Sequence, residues 1–249
     1  MSAVPLVLTL LVGIAMGLLG GGGSILMVPI LRYVSGLEAQ DAITTSLLVV
    51  GLTSAVAAAK HARVGRVRYR TGLLFGAGGM LGAFVGGKLG ALVEGRVLLI
   101  LFALVMVATG VAMLRPRRSS ATEAAPEEPP IARLLVVSAL VGSLTGLVGA
   151  GGGFLIVPAL VLFFGLPMEA AVGTSLLVIA LQSASALVGK LGHVQPNWDL
   201  GLGLGTLAMT GSLLGARIGR RTNPQTLRKA FGVLVLVMAV VMLARELGV

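Results

Sequence analysis

Three long stretches of this sequence contain no charged side chain: residues 1–31, 134–168 and 170–189. Only 11% of the 249 residues are charged, whereas soluble domains average about 25%. A water-soluble fold of this size cannot bury a chain that is 56% hydrophobic with a mean hydropathy of +1.02. Uncharged stretches of this length are typical of bilayer-crossing segments, so the sequence predicts an all-α polytopic membrane protein.

The apolar stretches predict eight hydrophobic segments. They lie roughly at 4–34, 42–59, 71–87, 97–114, 134–164, 170–189, 200–216 and 230–244. The first and the fifth are too long for one simple crossing and are interrupted by glycine runs. Between the two halves, the polar, proline-rich stretch from Arg115 to Pro130 predicts a solvated linker.

An internal repeat divides the chain into two halves. Adding 129 to any position from 13 to 90 gives its partner without a gap, and 29 of the 78 pairs are identical. Shared apolar composition alone rarely keeps glycines and prolines in register, so we infer a duplicated architecture of the kind found in transporters. The predicted units are a first transmembrane repeat at 1–115, the linker at 116–130 and a second repeat at 131–249. Each repeat comprises a glycine-broken first segment followed by three transmembrane helices.

The relative direction of the repeats depends on whether the glycine-broken segments cross the membrane. Full crossings give parallel repeats and divide the basic residues about 11 to 8 between the two sides. Segments that fold back give inverted repeats and divide the 19 basic residues 14 to 5. Because basic residues concentrate on the cytoplasmic side, we expect inverted repeats with both termini outside. The same rule explains the net charge of +10 without nucleic acid, which is not an expected partner.

The glycine runs are the first candidate binding feature. Gly17-Leu-Leu-Gly-Gly-Gly-Gly-Ser24 precedes Pro29, and Gly146-Leu-Val-Gly-Ala-Gly-Gly-Gly153 precedes Pro158. Consecutive glycines sustain a helix poorly, so we expect non-helical backbone covered by protein. Unpaired amides and the positive end of the next helix would form an anion site without a charged side chain. The alternative is that these glycines only permit close helix packing.

The second feature is a Thr-Ser pair early in the following helix of each repeat, at Thr45-Ser46 and Thr174-Ser175. Hydroxyls there can donate hydrogen bonds to the oxygens of an anion, although serine and threonine in membranes commonly bond to carbonyls of their own helix. Gln182 lies about two turns further along and has the same two interpretations. The expected substrate-binding residues are Gly20, Gly21, Gly22, Gly23, Ser24, Thr45, Ser46, Gly149, Gly151, Gly152, Gly153, Thr174, Ser175 and Gln182.

This paired pattern, a glycine-rich stretch ending in a proline and then a Thr-Ser-Leu helix start, resembles the TauE/SafE sulfite exporter family. The resemblance covers nearly the whole chain. It implies a carrier in the bacterial inner membrane for sulfite, sulfonates or related small organosulfur anions. One departure is Thr44, whose partner in the second repeat is Gly173, which leaves open whether both halves contact the substrate equally.

Catalytic and metal-binding patterns are not found in the sequence. His61 and His193 stand near segment ends without metal-ligand spacing, and no carboxylate interrupts a segment. We therefore expect no enzyme activity, no metal and no cofactor. The expected function is secondary transport of a small anion, probably outward, bound between the glycine runs near the bilayer midplane. The alternatives are an anion channel and, less favoured, a membrane-embedded enzyme; the bilayer is the expected surrounding, and homo-oligomerisation stays open.

Overall fold

The computed structural model describes residues 3–90, 95–115, 130–148, 153–190 and 197–247. Nearly all of these residues are helical and none of them forms a strand. Four described stretches are long and apolar enough to cross a membrane: Pro5–Leu26, Asp41–Ala62, Met168–Val188 and Pro224–Val241. The predicted fold class, an all-α polytopic membrane protein, is confirmed.

Five helices and a composite segment make up the first half. Helix α1 covers Ala3–Leu19, and a 3₁₀ helix at Gly20–Leu26 follows it directly. The short α2 at Met27–Pro29 and a π-helical turn at Ile30–Val34 continue that path. We call residues 20–34 the return segment. The remaining helices are α3 at Ala39–Ala62, α4 at Tyr69–Gly90 and α5 at Gly95–Leu114.

The second half follows a similar order. Helix α6 covers Ile131–Val148 and the short α7 covers Gly153–Leu162. The long helices are α8 at Met168–Lys190, α9 at Trp198–Arg221 and α10 at Pro224–Leu247. Every residue of α7 from Gly153 to Val161 is buried. Because its surface is apolar on all sides, α7 is stable only when other helices surround it.

Helix α1 of the first half packs along α9 of the second half. Gly13 lies against Ala208 and Gly17 against Ser212, so both chains advance by four residues between contacts. The two helices therefore run in the same direction. A side chain at either glycine would overlap backbone atoms of α9, which shows that small residues set the spacing of this pair.

Helix α4 packs along α6 in the same manner. Gly78 lies against Leu135 and Gly82 against Ala139, again four residues apart on each chain. The contact of Gly82 with Ala139 has a counterpart at the 129-residue offset, where Gly211 lies against Leu10. The same kind of contact thus occurs twice, with helices of opposite halves as partners.

Helices α3 and α8 are antiparallel. The Arg66 guanidinium, just after α3, lies 3.4 Å from the Glu169 carboxylate in the first turn of α8. At the other end, the Asn197 amide, just before α9, donates to Thr45 near the start of α3. Helix α9 runs parallel to α3, because Gly201 lies near Leu48 and Gly205 near Leu52. Helices α1, α3 and α9 therefore form one parallel set, and α4, α6 and α8 form a second set running the opposite way.

Helices α5 and α10 pack beside each other in opposite directions. Gly110 lies against Leu236, and Leu114 lies against Gly232. Arg228 of α10 donates hydrogen bonds to the carbonyls of Ala112 and Arg115 at 3.1 and 3.0 Å. These carbonyls end α5 without partners in their own helix, so the guanidinium acts as its C-terminal cap.

Candidate functional site

The glycine run of the first half begins with a sharp turn at Gly20. This residue has a φ of 73°, which places it in the left-handed region that glycine adopts without a Cβ clash. A Cβ at this position would also lie 2.6 Å from the Ser175 hydroxyl. Only glycine satisfies both the backbone and the space at the tip of this turn.

After the turn, the return segment runs back along α1. Gly23 lies against the backbone of Met16 and Val12, and Gly20, Gly21, Gly22 and Gly23 are all buried in a 3₁₀ helix. The glycine run is therefore not the open loop expected from the sequence. Close contacts on several sides favour a compact helix here despite the low helix propensity of glycine. We call α1 with the return segment the first hairpin.

The second hairpin consists of α6 and α7. The Arg133 guanidinium in the first turn of α6 lies 5.9 Å from the ring centroid of Phe164, which follows α7. The start of α6 and the end of α7 are thus at the same end of the molecule, and the chain folds back between them. Gly149, Gly151 and Gly152, expected at this tip, lie outside the described residues.

The two hairpins meet at residues that the repeat makes equivalent. Ser24 and Gly153 are 129 positions apart, and a Cβ on Gly153 would lie 2.8 Å from the Ser24 hydroxyl. Gly21 also lies against the Gly153 carbonyl. The Ser24 hydroxyl donates to the Gly21 carbonyl at 2.7 Å and is buried. Because equivalent residues touch where two related halves meet, this contact marks the centre of the molecule.

The two candidate threonines have the same partner in each half. Thr45 accepts a hydrogen bond from the amide of Asn197 at 3.1 Å, and Thr174 accepts one from the amide of Arg68 at 3.0 Å. Each hydroxyl oxygen therefore anchors the start of a following helix, α9 or α4. Thr45 lies near the start of α3 and Thr174 near the start of the antiparallel α8, so the structure does not bring them together.

The two candidate serines bond within their own helices. Ser46 donates to the Ile43 carbonyl at 2.7 Å and Ser175 to the Val172 carbonyl at 2.9 Å. Ser175 also lies at the tip of the first hairpin, beside Gly20. Of the expected contacts between Thr-Ser pairs and glycine runs, the described residues show this one.

The remaining polar candidates lie in separate places. Gln182 is half-buried, with its amide nitrogen 2.6 Å from where a Cβ on Gly79 would stand. His61 is buried, with Nε2 at 3.3 Å from the Gly17 carbonyl on α1. His193 lies outside the described residues. Among the described residues there is no cluster of three groups suited to hold a metal ion.

The sequence analysis missed two buried hydroxyls in the middle of α3, Thr53 and Ser54, which have no hydrogen-bond partner among the described residues. One signal was available, because Ser54 is identical to Ser183 at the 129-residue offset. Hydropathy conceals such residues, since an isolated hydroxyl barely alters an apolar stretch.

Comparison with known proteins connects this fold to a family. The family described as sulfite exporter TauE/SafE matches residues 6–242. The chain belongs to the TauE/SafE family. The resemblance drawn from the glycine and Thr-Ser motifs is therefore confirmed.

Relatives of this TauE/SafE chain extend over nearly its whole length. A "probable membrane transporter protein" of Xylella fastidiosa is 35% identical over 243 residues, covering 95% of this chain and 92% of the relative. The "probable membrane transporter protein YunE" of Bacillus subtilis is 32% identical over 246 residues, covering 89% of each. A Methanocaldococcus jannaschii protein with a corresponding name is 25% identical over 255 residues, covering 95% of this chain and 94% of the relative. No solved structure matches the chain significantly.

Membership in the TauE/SafE family makes the chain a multi-pass membrane transporter. Its relatives are named as transporters rather than enzymes, so the expectation that this chain is not an enzyme is confirmed.

Proposed function

We propose that this transporter is a secondary carrier that exports a small anion such as sulfite, a sulfonate or a related organosulfur compound. The description of its family supports the chemical class. The buried polar side chains of the described residues agree with a neutral site, because they are serines, threonines and one histidine. A site of this composition binds an anion through hydrogen-bond donors rather than through an ion pair.

The contact between Ser24 and Gly153 is the observation that carries this proposal. In carriers built from repeats, the substrate binds at the repeat interface, between broken helices. Here the two glycine-broken hairpins meet at equivalent residues. We therefore assign the substrate to this junction, with glycines 20–23 on one side and the segment that ends at Gly153 on the other.

The Thr-Ser pairs line the two approaches to that junction. Thr45 lies six residues, or about 9 Å, before Gly51 near the middle of α3, and Thr174 has the equivalent place on α8. In this proposal each pair contacts the anion at a different stage of transport. A threonine oxygen that accepts an amide keeps its O–H free to donate to an anion, whereas Ser46 and Ser175 must first rotate away from their carbonyls.

The proposed topology is a pair of inverted repeats. Helices α1 and α6 correspond at the 129-residue offset, and their contacts place them in oppositely directed sets. In this topology the ends of α3, α5 and α9 share one face of the membrane, together with the 14 basic residues expected in the cytoplasm. Alternating access then requires one hairpin or bundle to move against the other.

Flux through purified protein in proteoliposomes tests the proposal. The panel comprises sulfite, thiosulfate, sulfate and methanesulfonate, each measured with and without the same anion on the opposite side. Saturable flux that accelerates with the opposing anion is expected for a carrier, whereas linear flux without counter-transport identifies a channel. Gly21→Leu, which would fill the junction, should abolish flux. Gly203→Leu is the control, because nothing lies within 4 Å of a Cβ there.

A further inference from the structure

Buried hydroxyls in the described helices usually donate to a carbonyl one turn earlier. Ser138 donates to Leu135 at 3.0 Å and Ser212 to Met209 at 2.8 Å, and both serines are completely buried. This bond satisfies a hydroxyl in apolar surroundings without help from another helix.

Thr53 and Ser54 depart from this rule. Both side chains are 0% exposed, and neither hydroxyl has a hydrogen-bond partner among the described residues. An unpaired buried hydroxyl is costly, and native proteins contain few of them. Two consecutive examples in the middle of one membrane helix suggest that their partner is a molecule other than the chain itself.

The second half contributes a third hydroxyl beside them. Ser183 is buried, and its Cβ lies 3.3 Å from where a Cβ on Gly51 would stand. Gly51 precedes Ser54 by three residues, so Ser183 and Ser54 lie within about one helical turn of each other. Thr53, Ser54 and Ser183 are called the hydroxyl cluster below. It includes one pair of equivalent residues, Ser54 and Ser183, as does the contact between Ser24 and Gly153.

The hydroxyl cluster lies close to the junction of the hairpins. Ile179, four residues before Ser183 on α8, places its side chain 2.8 Å from where a Cβ on Gly153 would stand. Two contacts therefore connect the cluster to Ser24: Ile179 touches Gly153, and Gly153 touches Ser24.

The composition of this region selects for the charge of a ligand. No lysine, arginine, aspartate or glutamate is among the buried polar residues of the described ranges. The cost of moving an ion from water into protein rises steeply with its charge, and here no cation compensates it. Hydroxyl donors can replace the hydration of one negative charge spread over three oxygens far better than that of two charges.

We infer that the hydroxyl cluster binds the oxygens of a singly charged sulfonate-type group, R–SO₃⁻ or hydrogen sulfite, and disfavours doubly charged anions. This assignment rests on the proposed carrier function and specifies its substrate class. Thr53, Ser54 and Ser183 donate their hydrogens to the three oxygens while the anion passes between the hairpins.

Substitutions of single hydroxyls test the assignment. Methanesulfonate flux is measured in proteoliposomes for Thr53→Val and Ser54→Ala, and half-saturation concentration and maximal rate are determined separately. Each variant should raise the half-saturation concentration roughly tenfold, since a hydrogen bond to a charged group is lost. Thr53→Ser keeps the donor and should restore the wild-type value.

Matched controls come from hydroxyls that have partners in their own helix. Thr109 donates to the carbonyls of Val105 and Met106, and Ser143 donates to that of Ala139. Thr109→Val and Ser143→Ala should leave half-saturation unchanged. Ser54→Ala should also leave thermal stability without substrate equal to wild type or higher, because it removes an unpaired buried group. Wild-type half-saturation in both cluster variants overturns the assignment and leaves the carrier proposal intact.

Competition between anions tests the preference for charge. Unlabelled methanesulfonate should inhibit labelled methanesulfonate flux at neutral pH, whereas the same concentration of sulfate should not. Stronger inhibition by sulfate contradicts the inference although transport occurs. Absence of wild-type flux for every anion of the panel overturns the carrier proposal itself, and the inference with it.

Discussion

The Arg66 guanidinium and the Glu169 carboxylate, 3.4 Å apart, join the α3–α4 connection to the first turn of α8. At the 129-residue offset the corresponding pair is Gln195 and Gln40. The repeat therefore carries an ion pair at one of two equivalent positions and two neutral amides at the other. Any difference in how the two ends of the transporter open has a candidate cause in these four residues.

Breaking the ion pair should make the nearby end of the molecule more accessible. We predict that Glu169→Gln raises the rate at which an impermeant thiol reagent labels a cysteine placed at the buried Val172. The expected increase is about two- to fivefold, because a partly exposed pair contributes roughly 0.2–1 kcal/mol. Glu38→Gln, an exposed acid at the start of α3, is the control. An unchanged labelling rate would mean that the pair does not hold this end together.

The parallel course of α3 and α9 predicts the location of two loops. Residues 60–70 and 217–229 follow or include the C-terminal ends of these helices, so both should face the cytoplasm, as their arginines indicate. Single cysteines at Val64 and Asn223 in this cysteine-free chain should be labelled from the same side, and one at Gly36 from the other. Labelling of the two loops from opposite sides would exclude inverted repeats.

Positive-φ glycines provide a matched test of the hairpin tip. Gly20 and Gly65 have φ values of 73° and 71°, but a Cβ meets neighbours at Gly20 and nothing within 4 Å at Gly65. Gly65→Ala should cost about 1 kcal/mol of backbone strain and leave transport intact. Gly20→Ala adds overlap with Ser175 and should lower both the melting temperature and the flux further. Equal effects would show that strain alone determines the outcome.

The repeated helix contact predicts paired effects in the two halves. Gly82→Leu and Gly211→Leu each introduce a side chain into backbone of a facing helix, so both should reduce the yield of folded protein severely. Gly203→Ala lies in open space and should be neutral or stabilise α9 by at most about 1 kcal/mol. Fluorescence-detected size-exclusion chromatography of the three variants measures this. A monodisperse Gly82→Leu protein would show that the α4–α6 spacing is adaptable.

The neutral interior predicts flux driven by voltage without sodium. An anion leaving the cell gains about 2.3 kcal/mol per charge and 100 mV, or roughly a fiftyfold concentration ratio. In potassium-loaded proteoliposomes with valinomycin, flux should follow the imposed potential at equal pH. Flux that ignores voltage and follows a pH gradient instead indicates proton coupling. His61, buried beside the Gly17 carbonyl, would then be the first residue to replace.

Sequence patterns predicted the parts of this fold that depend on individual backbone positions. The break at the glycine run and the close packing by Gly82 and Gly211 follow from the special freedom and small size of glycine. The choice of helix partners was not predictable, because lipid and protein interior are equally apolar and hydropathy does not distinguish them. The Thr-Ser pairs were noticed for the right reason, their recurrence, but their helix-anchoring bonds to Asn197 and Arg68 depend on tertiary contacts.

The exchange of partners between α1 and α9, and between α4 and α6, has a consequence for biosynthesis. The ribosome makes α1 almost 200 residues before the helix that packs along it. Until α9 emerges, the glycine-lined face of α1 has only lipid or the insertion machinery to contact. Neither half can complete its packing alone, so two fragments divided within the 116–130 linker should assemble only when they are synthesised together.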